Sequence, residues 1–448
     1  MWRYYRLMAK QKPSSARGLA SIDAPPVVTI APPGQAVLPQ RKAGNAIDRV
    51  TQLTDLLSAL VGPGHAIDAL SYRKALEARS ANTVKALASD LACYADFCRS
   101  RAGSGLPASA SRVVAYCEHL EALGIKPATA ARRLTSLSVI HGLLGVTSPV
   151  REPVVRDTMA GYRRRQGTRQ RQAGALRFGP GIEAALALRS NDEAAGEGGQ
   201  GGRSAFTLTC LLAACDMDPP GLRDAALLSL GYDTGLRVAE LVRVEVEHIQ
   251  QAEDGSGAGT LFIPTSKTDQ LGQGAHAWIS AESMRRVAAW LKVADIRSGA
   301  VFRRVGVHRR KARSALKPVA IGTLSPNAQL TEERLYGRKA KPAQIAYVIG
   351  ERAVTAAAVR LILKRRALRA ADLGLVELYG SALEAAIAQL STHSLRVGLT
   401  QDLFASGADA GPVAQALRWT STATALRYGR ELAPASNATA QMLRAIRR

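Results

Sequence analysis

The chain has 448 residues, with 60 Lys and Arg against 36 Asp and Glu for a formal net charge of +24. That length exceeds one ordinary core, and the charge favours a polyanion, since each neutralised phosphate releases condensed counterions. No apolar run approaches the ~20 residues of a membrane-spanning helix, and an aromatic content of 5% disfavours a single-strand binder built on stacking platforms.

Residues 1–65 are rich in Pro, Ala, Gly and Gln, with Pro25-Pro26 and Pro32-Pro33 breaking regular structure, and read as a flexible arm. Residues 46–61 can form one short amphipathic helix within it. Met1 to Arg17 is basic and lacks the apolar block of a secretory signal. A disordered arm ranks above an organelle transit peptide here.

From residue 66 to about 165 the apolar positions recur with helical period. Ser80 or Asn82 opens a helix through Leu87, Leu91, Tyr94 and Phe97. Ser109 or Ser111 opens another carrying Val114, Cys117, Leu120 and Leu123, and Gly124 stops it. A third follows Pro127, with Leu134, Leu137, Ile140 and Leu144 on one side. These stripes predict an all-helical domain of about five helices. Its other faces hold Thr83, Lys85, Thr129, Arg132 and Arg133, each of which, alone, is an ordinary surface residue.

Tyr162 to Arg171 is a dense basic run that includes Arg163, Arg164 and Arg165, and Asn191 to Ser204 is Gly-rich. Residues 166–205 therefore read as a basic, Gly-rich linker. It can lie along phosphates between two domains or act as a plain solubilising tether.

A second domain is expected over residues 206–448. Leu222 to Tyr232 is a strongly apolar helix, Thr234-Gly235 a turn, and Leu236 to Val244 a continuation with Arg237 and Glu240 three apart on one face. Thr260–Pro264 and Ala275–Ser280 are short β-like runs whose polar connection presents Lys267. Between Val301 and Thr355 lie a basic cluster (Arg303, Arg304, Arg309, Arg310, Lys311, Arg313) and a Gly/Pro-broken tract to Gly350. Helices resume from Val354 to Leu390. Ser391 or Thr392 then caps a helix with Leu395, Leu399 and Leu403 on one side, and His393 and Arg396 sharing a face. Gly407 ends it. Gly411-Pro412 opens the next helix, expected to deliver Trp419 and, nine residues later, Tyr428. Residues 435–448 can form a last amphipathic helix with Met442, Leu443 and Ile446. Cys93, Cys98, Cys117, Cys210 and Cys215 lack metal-ligand spacing and read as free thiols in a reducing compartment.

Taken singly, a Trp or Tyr at helical spacing is usually core and an Arg usually solvated. The ordered set is more specific: T-G-L-R-x-x-E-L, a lysine in T-S-K-T, H-x-x-R, a Gly-punctuated helix pair, then Trp and Tyr. It resembles the signature of tyrosine site-specific recombinases, the phage-integrase family. Trp419, where His is commoner, points toward the Cre recombinase branch. The resemblance covers residues 66–448, and against the family pattern residues around 305–350 are an insertion, implied on a DNA-facing or neighbouring surface.

It implies a mainly α, multi-domain fold: a helical core-binding domain and a mostly α catalytic domain with a small antiparallel β-sheet, closing on DNA as a C-shaped clamp. It implies Tyr428 as nucleophile, Arg237 and Arg396 on the non-bridging oxygens, and Trp419 as a further donor. Lys267 would protonate the departing 5′ oxygen, His393 would orient the phosphate or accept the tyrosyl proton, and Glu240 would fix Arg237 or Lys267. Thr83, Lys85, Thr129, Arg132 and Arg133 correspond to helix starts that meet DNA, and Arg163, Arg164 and Arg165 extend that basic surface. The implied partner is double-stranded DNA with (pseudo)palindromic sites, bound by a homotetramer assembled from monomers, with no metal and no other cofactor. A bacterial cytoplasmic, nucleoid-associated location follows. Family members pack the last helix into a neighbouring protomer; docking within the chain fits the sequence equally. A type IB topoisomerase uses nearly the same residues on one duplex, and a non-catalytic DNA-binding protein would retain the fold alone.

Overall fold

The computed structural model describes residues 26–31, 49–62, 69–101, 104–168, 172–179, 205–266, 269, 272–320, 331–429, 442, 443 and 446. The chain divides into two compact units, one made of Gln40–Gln172 and the other of Met1–Pro39 together with Ala173–Arg448. In chain order the elements open with β1 (Val27–Ala31), which belongs to the second of these.

The Gln40–Gln172 unit is helical: α1 (Arg49–Leu60), α2 (Ala69–Glu77), α3 (Ala81–Arg99), α4 (Ala110–Ala122), α5 (Pro127–Leu143) and α6 (Pro153–Gln166). Its helix starts are local chemistry. The Ser80 hydroxyl accepts the Thr83 N–H, the Ser109 hydroxyl accepts the Arg112 N–H, and Pro127 occupies the first turn of α5, where its missing N–H costs nothing. Leu87, Leu91, Tyr94, Phe97, Tyr116, Leu120, Leu134, Leu137 and Ile140 meet in one core. The stripe on α4 is rotated from the expected one: Val113 and Tyr116 are buried, whereas Leu123, past the last turn, is 61% exposed. The amphipathic helix expected within residues 46–61 is α1. Leu53, Leu57 and Leu60, at helical spacing, are buried in this core, because an apolar stripe of that kind is stable only when covered.

The other unit follows β1 with α7 (Leu208–Ala213), α8 (Pro219–Thr234), α9 (Val238–Leu241), β2 (Ile249–Gln251), β3 (Gly259–Ile263), β4 (Ala275–Ile279) and α10 (Ala281–Ala294). Then come β5 (Arg303–Arg310), α11 (Glu332–Tyr336), β6 (Gln344–Ala353), α12 (Ala356–Asp372), α13 (Gly380–Gln389), α14 (Ser394–Ala405), α15 (Ala410–Ala416) and α16 (Thr422–Gly429). α8 is the buried centre, with Ala226, Leu227, Leu228 and Leu230 inaccessible. The Asp218 carboxylate caps it by accepting the Gly221 N–H at 2.8 Å. Trp290 on α10, also inaccessible, donates its indole N–H to the Val301 carbonyl at 2.8 Å.

The expected antiparallel sheet is present as β2–β3–β4, with Leu261 opposite Ala277 and Ile263 opposite Ala275. Leu261, Ile263, Ala277 and Ile279 are buried, as strict alternation requires of a sheet with one covered face. A second sheet, β1–β6–β5, was not expected. β5 and β6 pair antiparallel, and β1 adds parallel to the far edge of β6, Thr29 opposite Ala346. Residues 27–31 are thus a strand, a correction to the arm reading of residues 1–65: V-V-T-I supplies β-branched residues to an otherwise open row of N–H and C=O groups.

The linker reading of residues 166–205 is corrected over 173–179, which belongs to the unit containing α8. Gly174 N–H donates to Gln389, Leu176 N–H to the Ser394 carbonyl at 2.9 Å, and Phe178 N–H to the Asp402 carboxylate at 2.8 Å. Leu176 is inaccessible. This segment lies so close to α14 that only glycine fits at position 398; a Cβ there would be 1.9 Å from the Leu176 carbonyl oxygen. Residues 180–204 and Lys267 lie outside the described residues, as does residue 435 with most of the expected last helix. Among the described residues no helix is long and apolar enough to cross a membrane, and all five cysteines are free thiols.

Candidate active site

α8 ends at Thr234 because Gly235 adopts a left-handed φ of 54°, and a Cβ there would also strike Leu417 at 2.3 Å. The turn puts Arg237 at the N-cap of α9, with Glu240 in the first helical turn. One Glu240 oxygen accepts the Arg237 backbone N–H at 3.0 Å and the other accepts its guanidinium at 2.9 Å. The carboxylate thereby holds Arg237 at both ends, and it is itself nearly buried.

His393 is the N-cap residue of α14, its backbone N–H donated to the Ser391 hydroxyl at 3.1 Å. Arg396, one turn inside, is 1% exposed. Its two terminal nitrogens donate to the Gly235 and Leu417 carbonyls. Its guanidinium lies over the Trp419 ring, 4.8 Å from the centroid. Trp419 in turn stacks on Tyr428, with centroids 5.0 Å apart and planes 16° from parallel. The His393 ring lies 6.4 Å from that of Tyr428. Arg396, Trp419, Tyr428 and His393 are therefore one cluster, and Arg237 is near enough to act on the charge of both His393 and Arg396.

The single helix expected to carry both Trp419 and Tyr428 is instead two. α15 stops at Ala416, and the following backbone closes a Schellman motif: Arg418 N–H to the Gln415 carbonyl at 3.0 Å, Trp419 N–H to the Ala414 carbonyl at 2.8 Å. α16 then restarts, the Ser421 hydroxyl accepting the Ala423 N–H. The break turns Trp419 back over Arg396 and brings Tyr428 against it.

Arg418 was not singled out by its sequence. It has a left-handed φ of 54° and donates to the Thr234 carbonyl at 3.0 Å and to the Ala416 carbonyl. No local signal in the sequence marked it, because the position two past a helix end is recognised by glycine and here holds an arginine.

Three guanidinium groups share this site with one carboxylate. Burial, then Arg237 and Arg418, push Arg396 down to about 10, so it stays charged at neutral pH. Burial lowers Arg418 too, with Glu240 opposing and Arg237 reinforcing the shift. His393 is lowered by burial, then by Arg396 and Arg237, which favours a neutral imidazole. Beyond burial, the neighbouring arginines depress one another and His393, and an anion among them relieves that part of each shift.

The residues expected to touch DNA lie in the helical unit. Thr83, Lys85, Arg163 and Arg164 are exposed, and Thr129 is half-buried. Arg132 donates to the buried Asp90 carboxylate, which also accepts the Ser136 hydroxyl at 2.7 Å, and Arg133 Nε lies 4.0 Å from its other oxygen. Arg165 is bidentate to Glu121, at 2.8 and 2.6 Å. Arg132, Arg133 and Arg165 are thus engaged within the unit. Among the described residues no group of three or more His, Cys, Asp or Glu is placed to hold a metal ion.

Residues 205–433 match the Phage integrase family. The chain is 30% identical over 244 residues to an integrase/recombinase XerD homolog of Selenomonas ruminantium, covering 52% of this chain and 62% of that protein, under two thirds of its length. It is 22% identical over 373 residues to the recombinase Cre of Escherichia phage P1, covering 82% of this chain and 89% of Cre. Among solved structures, XerH site-specific recombinase bound to palindromic difH substrate, a post-cleavage complex, aligns over 89% of this chain and 94% of its own at 12% identity, with a TM-score of 0.46.

Proposed function

The chain belongs to the phage integrase family, and from that membership together with the clustered side chains we propose that it is a site-specific tyrosine recombinase. It cuts and rejoins duplex DNA through a 3′-phosphotyrosine and a Holliday junction, using neither metal nor ATP. The observation that carries this reading is Tyr428 stacked on Trp419, which lies against the buried Arg396. A phenol beside a buried, permanently charged guanidinium suits attack on a phosphodiester.

Arg237 and Arg396 hold the two non-bridging oxygens; a guanidinium stays charged and donates in a fork, which an ammonium does not. The Trp419 indole N–H donates to the same phosphate and its ring walls the pocket. Tyr428 Oη forms the bond to phosphorus, its proton passing to neutral His393, while the bond to the 5′ oxygen breaks and Lys267 supplies that oxygen's proton. The phosphotyrosine keeps much of the energy of the bond it replaces, so a 5′ hydroxyl from the partner strand reverses the step. Glu240 fixes Arg237 in place. Losing one preorganised partner of this kind costs on the order of 2.7–4 kcal/mol of barrier.

The target is a (pseudo)palindromic duplex site, two of which are synapsed by four protomers, at the nucleoid of a bacterial cytoplasm. Thr83, Lys85, Thr129, Arg163 and Arg164 contact the phosphates from the helical unit. Arg132, Arg133 and Arg165 contribute their charge from within their ion pairs.

Covalent complexes trapped on a fragment library of the source replicon, then sequenced at the cut points, give the target and its symmetry. Tyr428→Phe is expected to keep DNA affinity and to lose every covalent adduct. An adduct that survives the change overturns the assignment. Recombination between two cloned target sites is expected; relaxation of supercoils without synapsis would place the chain with the topoisomerases.

A further inference from the structure

We propose that Arg418 is a positioning residue of the strand-cleavage reaction, tying the turn that carries Arg237 to the cap that carries Trp419. The inference rests on the reading of Tyr428 as nucleophile.

Arg418 stands at the C′ position of the Schellman motif that closes α15. That position requires a left-handed backbone, which glycine adopts freely and a residue with a Cβ does not. Among the described residues, Asp295 is the other non-glycine residue with a positive φ, and it is a helix C-cap beside solvent-exposed Arg297. Arg418 is different, because its guanidinium turns inward. It donates to the Thr234 carbonyl at 3.0 Å, the last residue of α8, just before the Gly235 turn that presents Arg237. Arg396 makes the companion contacts, donating to Gly235 and to Leu417. Two guanidinium groups thus lace residues 234–235 to residues 416–418, one from each side of the junction.

That lacing fixes three of the reacting groups relative to each other. Arg237 follows the Thr234–Gly235 turn by two residues, Trp419 follows Arg418 directly, and Tyr428 stacks on Trp419. A glycine at 418 would hold the same cap and lose the tie. Strain at a functional position, maintained by contacts that point into the site, is the pattern expected when conformation serves positioning over stability.

The test compares the full chain with Arg418→Gly and Arg418→Lys on the DNA site recovered by covalent trapping. Melting temperature, DNA affinity and single-turnover cleavage are measured for each. R418G is expected to melt at or above the wild-type temperature and to bind DNA within about twofold of wild type. Its cleavage rate should fall at least tenfold, or about 1.4 kcal/mol of barrier. R418K, which keeps one charged donor, should recover part of the rate while melting no higher than wild type. Wild-type cleavage by R418G overturns the proposal. So does a rate loss that follows a lowered melting temperature or weakened DNA binding, which would make the residue merely structural. Tyr428→Phe run beside them separates the premises: an adduct formed by Y428F sinks the nucleophile assignment, whereas a dead Y428F with a fully active R418G sinks only the role of Arg418.

Discussion

Gly398→Ala is expected to destabilise the catalytic unit, although the change favours a helix. In the interior of a helix such as α14, alanine is better than glycine by roughly 1 kcal/mol. Here the added Cβ would stand 1.9 Å from the Leu176 carbonyl oxygen and 2.9 Å from the Arg177 nitrogen. Both are backbone atoms, so no rotamer relieves the contact, and the 173–179 segment must retreat by roughly 1 Å. That retreat strains the Leu176–Ser394 hydrogen bond and the two donors that Arg177 and Phe178 supply to the Asp402 carboxylate. One weakened backbone hydrogen bond at ~1 kcal/mol, and ~1–3 kcal/mol for a buried carboxylate left short of two donors, outweigh the helix gain of roughly 1 kcal/mol. The net expectation is ~1–3 kcal/mol of destabilisation. Denaturant unfolding of the full chain, following the transition of the catalytic unit, measures it. Gly411→Ala is the control, since nothing lies within 4 Å of its added Cβ; it should be neutral or slightly stabilising. A G398A protein as stable as wild type would refute the close-approach argument.

Two further outcomes follow from the charges. His393 has its pKa lowered, so the unfolded chain binds more protons below the ~6.5 of free imidazole. Its contribution to stability is therefore complete above that pH and is lost as the pH falls through it. Melting curves of wild type and His393→Asn between pH 5 and 8 should diverge only on the acid side, with wild type losing ground; a relative gain on acidification would show the shift has the other sign. In the helical unit, Asp90→Ala strips the carboxylate that gathers Arg132, Arg133 and Ser136. Because Arg132 is half-exposed, the loss should fall below the ~3–5 kcal/mol of a fully buried pair, at about 2 kcal/mol. Unchanged unfolding of that unit would mean the arginines are not held there.

What could be read from the residues was what local chemistry decides. Ser80, Ser109 and Pro127 announced helix starts, Gly235 and Gly407 announced stops, and alternation in T-L-F-I and A-H-A-W-I announced the hairpin. Arg237, Glu240, His393, Arg396, Trp419 and Tyr428 were legible because their spacing and order resemble one family's signature. The illegible parts depend on partners distant in sequence. Nothing in V-V-T-I points to β6, and nothing in Gly174–Phe178 points to Asp402, which gains its donors only when α14 arrives. The α15–α16 break was missed for a more instructive reason. The cap there relies on Arg418, and a rule that looks for glycine reads past an arginine.

The pairing of β1 with β6 has a consequence for how the molecule is assembled during synthesis. Val27 emerges roughly 300 residues before Gln344, its counterpart in the ladder. The Gln40–Gln172 helices, whose contacts are mostly local, can therefore be complete while β1 still waits without a template. Until β6 leaves the ribosome, Val27, Val28 and Ile30 lie in a β-branched segment without its partner, open to pairing with any other nascent chain that offers the same row of amides. Polysomes translating this message are where such mispairing would be found, and a fragment ending before Gln344 would carry the exposed strand permanently.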